Sequence, residues 1–411
     1  MTSEETDRCS TFSYDEEDAT PDSFSISKLE AAVGECLSKE CILVKMAEGG
    51  YHKVYEVLSA DASQSLNVVA RVAAPAFPKD KVESEVATIQ YIASHTNIHT
   101  PRVYGWETDI NPVGQDYVIL EKIRGVSASE VWDTLPMVLK QVTVSDVAGH
   151  IIQLFRLRFE IGGSLYPAHD GKIFVGPIVS TPFYRALDGI IRFHEPVDDG
   201  LALYRGPFNS ASAYLRSSID AELYLVDRHR QHILEHELDG DENRLELGVR
   251  VLKTALHLSS VYPGDVCVSE PLTSPGQQFS LRMDDFRLSN IMIDEETGHI
   301  TGLIDFEGAT VAPLWDCAYL PRWLQDSSEW DGTHEGGSKK EKETLRNLFL
   351  EKITENDPSG EWMRASERGR LFREFSDRLS FNVGVWAHLE EWVDERMEWV
   401  KSHPIGGYTS P

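Results

Sequence analysis

Cysteine, positive charge and long apolar runs are what this sequence has least of, and each shortage removes a class of function. The 411 residues include five cysteines, Cys9, Cys36, Cys41, Cys267 and Cys317, with no Cys-x-x-Cys among them. A disulfide-stapled scaffold and a zinc site of ordinary spacing are not expected, and a reducing compartment is. No window approaches ~20 uninterrupted apolar residues, so no helical membrane span is expected. Lys and Arg number 39 against 67 Asp and Glu, a formal charge of −28. Such a chain repels phosphodiester backbones and anionic lipid, which argues against nucleic acid as a partner and favours a cationic one. Part of that charge sits in Met1 to Ser23, where Glu4, Glu5, Asp7, Asp15, Glu16, Glu17, Asp18 and Asp22 face only Arg8. This segment reads as a solvated tail and, being acidic where leaders are Arg-rich, not as a signal or transit peptide. No internal repeat appears, nor a Gly-x-Ser-x-Gly elbow, so solenoid and triad-hydrolase readings drop out, and a metallohydrolase is set aside with them.

What the sequence does have is concentrated between Phe279 and Pro313. Ile291-Met292-Ile293 and Ile300 to Ile304 are short apolar runs separated by the turn-rich Asp294-Glu295-Glu296-Thr297-Gly298-His299. That pattern predicts a β-hairpin. Antiparallel pairing brings the first residue of one strand beside the last of the other, so Asn290 and Asp305 are expected to meet at its open end, with Asp285 entering from the preceding loop. An amide oxygen and two carboxylates at one strand end suit a hard cation such as Mg²⁺ and leave room for phosphate.

Asp285, four residues, Asn290, then Asp305 in Ile304-Asp305-Phe306-Glu307 resembles the catalytic and metal loops of the protein-kinase-like superfamily. DFRLSNIMID and TGLIDFEGATVAPLWD are similar to the aminoglycoside phosphotransferase and choline kinase branch, and within it to fungal proteins of the "altered inheritance of mitochondria" type. The resemblance implies an α+β, two-lobed fold: a small antiparallel N-lobe sheet with one helix, and a larger, mainly helical C-lobe. The expected divisions are an acidic tail to residue 24, an N-lobe from 25 to 124 and a C-lobe from 125 to 411. It also implies ATP and Mg²⁺ as cofactors, with Asn290 and Asp305 as metal ligands and Asp285 as the base.

Taken in order, Ser25 to Leu37 has the spacing of a short amphipathic helix, and Cys41 to Met46, Tyr51 to Leu58 and Asn67 to Val72 that of a β-meander. Gly49 and Gly50 lie in the first turn, where missing side chains let backbone N–H groups approach a phosphate. Arg71 stands among apolar neighbours at the position where the family carries a phosphate-contacting cation, usually Lys; its planar fork is not equivalent. Lys79 to Ser94 reads as a helix with Val82, Val86, Ile89 and Ala93 on one face. Glu85, near that stripe, needs a cationic partner, and Arg71 is the candidate. Pro101 to Trp106 and Asp116 to Leu120 supply two further strands, and Glu121-Lys122-Ile123-Arg124-Gly125 resembles the hinge, so Glu121 and Ile123 are expected to meet adenine through their backbones.

Helical spacing returns at Ser145, a candidate cap, and at Leu245 to Leu258. Between them, Ile161 to Pro167, Val175 to Ser180 and Tyr204 to Leu215 have the Gly, Pro and aromatic content of loops walling a substrate pocket, with no chemistry attached. Asp316 is expected to serve structure. Asp326 to Lys342 reads as a polar insert, and Trp386, Leu389, Trp392 and Met397 as an apolar stripe near the C-terminus. The expected function is transfer of the γ-phosphoryl group of ATP to a hydroxyl of a small molecule in the cytoplasm; only the family name points to mitochondria. One departure stands out: Met283 occupies the position where the family has His. The rival reading is a weakened pseudokinase that binds nucleotide and a protein partner.

Overall fold

The structure, a computed structural model, describes residues 9–12, 22–49, 52–73, 80–108, 110–179, 199–261, 278–283, 285–326, 335–379 and 381–402. The segment expected as a tail contributes paired strands, β1 (Cys9–Phe12) and β2 (Asp22–Ser25). Ser25 then caps α1 (Ile26–Leu37), its hydroxyl accepting from the Lys28 N–H at 3.2 Å. Strands β3 (Cys41–Glu48), β4 (His52–Ser59) and β5 (Ser65–Ala73) lead to α2 (Lys81–His95), β6 (Val103–Glu107) and β7 (Tyr117–Glu121). The five strands form one antiparallel sheet, in the order β3-β4-β5-β7-β6.

Strand alternation decides which side chains face the rest of the molecule. Val68, Ala70 and Val72 of β5 and Tyr55 and Val57 of β4 are buried with Leu29 and Val33 of α1. Arg71 and, through the Val54–Arg71 pairing, His52 therefore point to the opposite face, where α2 packs. The sheet thus has a helix on each face, one more than the resemblance implied, because α1, legible from its spacing, has apolar positions of its own to bury.

Downstream, β8 (Val126–Ser127), α3 (Ala128–Val131) and α4 (Met137–Arg156) open a helical region. Ser145 is not a cap: α4 starts at Met137 after Pro136, and the Ser145 hydroxyl bonds back to the Gln141 carbonyl at 2.8 Å in mid-helix. β9 (Ser164–Pro167) pairs with β10 (Ile173–Gly176), and α5 (Ala211–Arg228), α6 (Arg230–His236) and α7 (Glu242–Val261) follow. β11 (Phe279–Arg282) pairs with β14 (Thr310–Pro313) around the hairpin of β12 (Ile291–Ile293) and β13 (Ile300–Leu303), and β12 also pairs with β8. After the short α8 (Leu314–Cys317), the expected insert resolves differently at its end: Ser338 and Glu341 form a capping box that starts α9 (Lys339–Asn356), and residues 327–334 lie outside the described set. One core runs through the helical region, with Trp132, Trp315, Trp323, Trp362 and Trp386 all nearly inaccessible. The chain is thus an α+β protein with an antiparallel-sheet N-terminal region and a helical C-terminal region.

Gly125, between β7 and β8, has φ +104°, and a Cβ there would sit 2.3 Å from the Ile293 carbonyl oxygen. Backbone cannot yield as a flexible side chain does. Gly125→Ala is expected to cost roughly 2–4 kcal/mol, read as a lower chemical-denaturation midpoint.

Candidate active site

The short hairpin after β11 carries the first half of the site. Asn290 precedes β12, and its carbonyl accepts from the Ile304 N–H at 3.0 Å. The ladder therefore sets Asn290 opposite Ile304, and Asp305 lies one residue beyond the pairing predicted from the sequence. Asp305 turns there with φ +60°, a left-handed conformation that Asp tolerates better than most residues. Asn290 Nδ2 donates to the Asp285 carbonyl at 2.8 Å and lies 3.5 Å from Asp285 Oδ2, so these two residues are brought together. With the amide nitrogen used in this way, its oxygen remains as an acceptor, and the Ser289 hydroxyl approaches it at 3.3 Å. The other Asp285 oxygen takes the Arg287 Nε. Burial opposes the Arg287 charge, but the bond and charge of Asp285, then Glu335 and Asp305, outweigh it and hold its pKa above the ordinary value.

The second half comes from the sheet and α2. Arg71, buried at 8% exposure, reaches Glu85 Oε2 from Nη2 at 2.5 Å and Asp305 Oδ1 from Nη1 at 3.3 Å. Glu85 Oε1 also accepts from the Phe306 N–H at 3.3 Å, which fastens the residue after Asp305 to α2. Burial works against the Arg71 charge, and Glu85 and Asp305 outweigh it; burial also pushes the Glu85 carboxyl up while Arg71 pulls it back.

The sequence reading did not assign three residues that complete this cluster. His52 Nε2 lies 3.2 Å from Arg71 Nη2, and its Nδ1 lies 3.1 Å from Glu307 Oε2. Glu307 also takes Lys81 Nζ and stands 3.7 Å from Arg71 Nη2. A neutral ring that donates from Nδ1 to Glu307 and accepts at Nε2 from Arg71 satisfies both neighbours. Burial first, then the charges of Arg71 and Lys81, hold the His52 pKa well below its ordinary range, in keeping with that neutral form. The available signals were adjacency, His52 two residues past the glycine pair and Glu307 two past Asp305, and the shared helical face of Lys81 and Glu85.

Other expected residues stand apart from this cluster. The Gly49 N–H donates to the His52 carbonyl at 2.9 Å and closes the β3–β4 turn; Gly50 lies outside the described residues. The Glu121 N–H already donates to the Arg102 carbonyl at 2.9 Å, and its carboxylate accepts from the Arg102 N–H at 3.2 Å. Ile123 is buried, its side chain over Gly302. Asp316 is buried and structural, accepting from Tyr214 Oη at 3.1 Å and Arg282 Nη1 at 3.0 Å. A His-x-x-x-His spacing does occur, at His232 and His236 on α6, contrary to the dismissal of metallohydrolase motifs above. Among the described residues, however, no group of three or more His, Cys, Asp or Glu could hold a metal ion, and no helix is long and apolar enough to cross a membrane.

A model of the phosphotransferase enzyme family matches residues 44–346, well over half of the chain. This chain belongs to that family. A subtelomeric hrmA-associated cluster protein of Aspergillus fumigatus is 27% identical over 70% of this chain and 61% of its own length. The mitochondrial "altered inheritance of mitochondria protein 9" of Candida tropicalis is 22% identical over 71% of this chain and 51% of its own. The chain thus spans only about half to three-fifths of the length of these relatives. A crystal structure of a thermostable mutant of aminoglycoside phosphotransferase APH(4)-Ia with AMP-PNP and hygromycin B is similar at a TM-score of 0.43 and 14% identity, covering 92% of this chain and 99% of that one.

Two outcomes are expected of the buried cluster. Glu85→Gln leaves Arg71 with one fewer counter-charge in a desolvated place and is expected to cost roughly 2–4 kcal/mol in urea unfolding at neutral pH. His52 stays neutral in the fold, whereas the unfolded chain protonates it below about pH 6.5, so its contribution is present above that pH and lost as pH falls. One such proton accounts for up to ~1.4 kcal/mol per pH unit. His52→Gln should flatten the stability profile between about pH 5 and 6.5, measured by denaturation midpoints across that range.

Proposed function

We propose that this chain is a small-molecule kinase that transfers the γ-phosphoryl group of ATP to a hydroxyl acceptor, with a cationic acceptor favoured by the excess of acidic residues. The observation that carries this reading is the forked contact of Arg71 with both Glu85 and Asp305, which joins the sheet, α2 and the hairpin loop at one guanidinium. Asn290 and Asp305 would hold Mg²⁺: both offer oxygen, and the Asn290 amide is oriented with its nitrogen spent on Asp285. When bound, the ion supplies neutralisation of phosphate charge. Arg71 would grip the α and β phosphates, Gly49 and Gly50 would close over them, and the backbones of Glu121 and Ile123 would meet adenine, with the sheet region up to residue 124 acting as the nucleotide lobe. Asp285 would orient the acceptor hydroxyl and take its proton, once Arg287 yields the oxygen it now holds.

Met283 is compatible with activity. It is buried at 2% exposure, and its loop is braced without an imidazole: Tyr319 Oη donates to the Met283 carbonyl at 3.1 Å, and the preceding Arg282 bonds Asp316. The few, unclustered cysteines suit a reducing compartment such as the cytoplasm as the site of action, although one group of relatives is named mitochondrial.

Asp285→Asn is expected to lower turnover by about 10² to 10⁴ while Mg²⁺-dependent ATP affinity stays within a few-fold. The measurement is ADP release across a panel of hydroxylated and amine-bearing metabolites, beside ATP titration of both proteins. ATP binding with no ADP release for any acceptor would replace this reading with a nucleotide-sensing pseudokinase.

A further inference from the structure

The three segments that looked like pocket walls in the sequence are joined in the fold, and they meet at one buried charge. In the first, the Gly163 N–H donates to the Val311 carbonyl at 2.9 Å and the Val311 N–H returns to Gly163 at 2.7 Å, which fixes the segment to β14 just past Glu307. Gly162 exchanges two hydrogen bonds of 2.8 Å with Phe208 of the third segment. The second segment closes the unit. The Val179 N–H donates to the Ser164 hydroxyl at 3.1 Å, and Ile178 is bonded twice to Arg205: its N–H to the Arg205 carbonyl at 2.7 Å and its carbonyl to Arg205 Nε at 3.0 Å. Arg205 is thus held at both backbone and side chain, at 7% exposure.

Its guanidinium points at α2. Arg205 Nη2 lies 3.0 and 2.9 Å from the two oxygens of Asp80, and Tyr166 Oη lies 2.9 Å from Asp80 Oδ2. Asp80 occupies the N-cap position of α2 but makes no side-chain cap to it. An Asp there ordinarily accepts from the helix's own N–H groups; this one gives up the cap to reach Arg205. The first two turns of α2 carry Lys81, bound to Glu307, and Glu85, bound to Arg71.

We propose that Arg205, supported by Tyr166, is a positioning residue that grips Asp80 and thereby sets the height and rotation of α2 so that Glu85 meets Arg71. Its catalytic consequence rests on the kinase reading above, since the Arg71–Glu85 pair must be in place for phosphoryl transfer in enzymes of that kind. The three otherwise unassigned segments then have one role: a frame tied to the loop after Asp305 that holds the head of α2. Packing of α2 on β9 is the competing explanation for the same placement.

The test uses the full chain and three variants, Asp80→Asn, Arg205→Gln and Tyr166→Phe, the first and last of which keep side-chain volume close to native. Amide hydrogen exchange of residues 81–95 is compared with that of α7. Asp80→Asn and Arg205→Gln are expected to speed exchange in α2 by about tenfold or more with α7 unchanged, and Tyr166→Phe by less. Affinity for the non-hydrolysable analogue AMP-PNP with Mg²⁺ should fall in parallel, and Asp80→Asn placed on Glu85→Gln should add less than about twofold, because both act through one pair. Exchange that rises equally in α2 and α7, or fully additive losses of affinity, would overturn the proposal. Should Arg205→Gln not fold, Asp80→Asn and Tyr166→Phe give the same comparison. The exchange readout needs no phosphoryl transfer, so a chain without turnover would count against the kinase reading alone.

Discussion

The burial of one guanidinium organises this molecule. Arg71 lies on a central strand, on the face that packs against α2, where an unpaired cation would cost several kcal/mol of lost hydration. The neighbours that offset that cost come from three stretches of chain: Glu85 from α2, Asp305 and Glu307 from the loop after the hairpin, and His52 from the adjacent strand. A lysine ammonium is a single point and would have to choose among them. The fork of Arg71 separates the tasks, one nitrogen toward Glu85 and His52, the other toward Asp305. The departure from the family's usual Lys is therefore not conservative, because it lets one side chain serve as the joint between sheet, helix and loop.

The charges around this joint do not cancel. Arg71 and Lys81 oppose Glu85, Glu307 and Asp305, while His52 is held neutral. One negative charge is left over, and exposure says where it resides: the side chains of Glu85 and Glu307 are 3% and 13% exposed, that of Asp305 34%. Of the two carboxylates hydrogen-bonded to Arg71, the more solvent-facing is held at the longer distance, 3.3 Å for Asp305 against 2.5 Å for Glu85. A residue bound this loosely, in a cluster already short of positive charge, is disposed to accept a cation, and Asp305 is the one proposed to do so.

Much of this was legible because it is local. Arg71 stood out as a charge among apolar neighbours on β5, helical spacing put Glu85 beside the apolar stripe of α2, and two short apolar runs around a turn gave the hairpin. What escaped depends on partners far away in sequence. Arg205 and Asp80 are 125 positions apart, and nothing in Tyr204-Arg205-Gly206-Pro207 distinguishes a strut from a loop. Glu307 looked like one more acid in an acidic chain until Lys81 and His52 stood against it. Ser145 was misread for the opposite reason: a Ser ahead of an apolar stripe imitates a cap, and the helix had begun eight residues earlier.

The one-residue offset at the hairpin's end explains why Asp305 adopts its unfavourable backbone. The ladder's last bond joins Asn290 to Ile304, so a regular continuation would carry Asp305 along the strand, away from its partner. A left-handed φ of +60° bends the chain out of the ladder, at a cost of order 1–3 kcal/mol for a residue other than glycine. The bend returns two bonds. It turns the carboxylate to Arg71 and delivers the next N–H, that of Phe306, to Glu85. The strained residue is therefore held by the same ion pair it completes, and loosening α2 would release the strain and the carboxylate together.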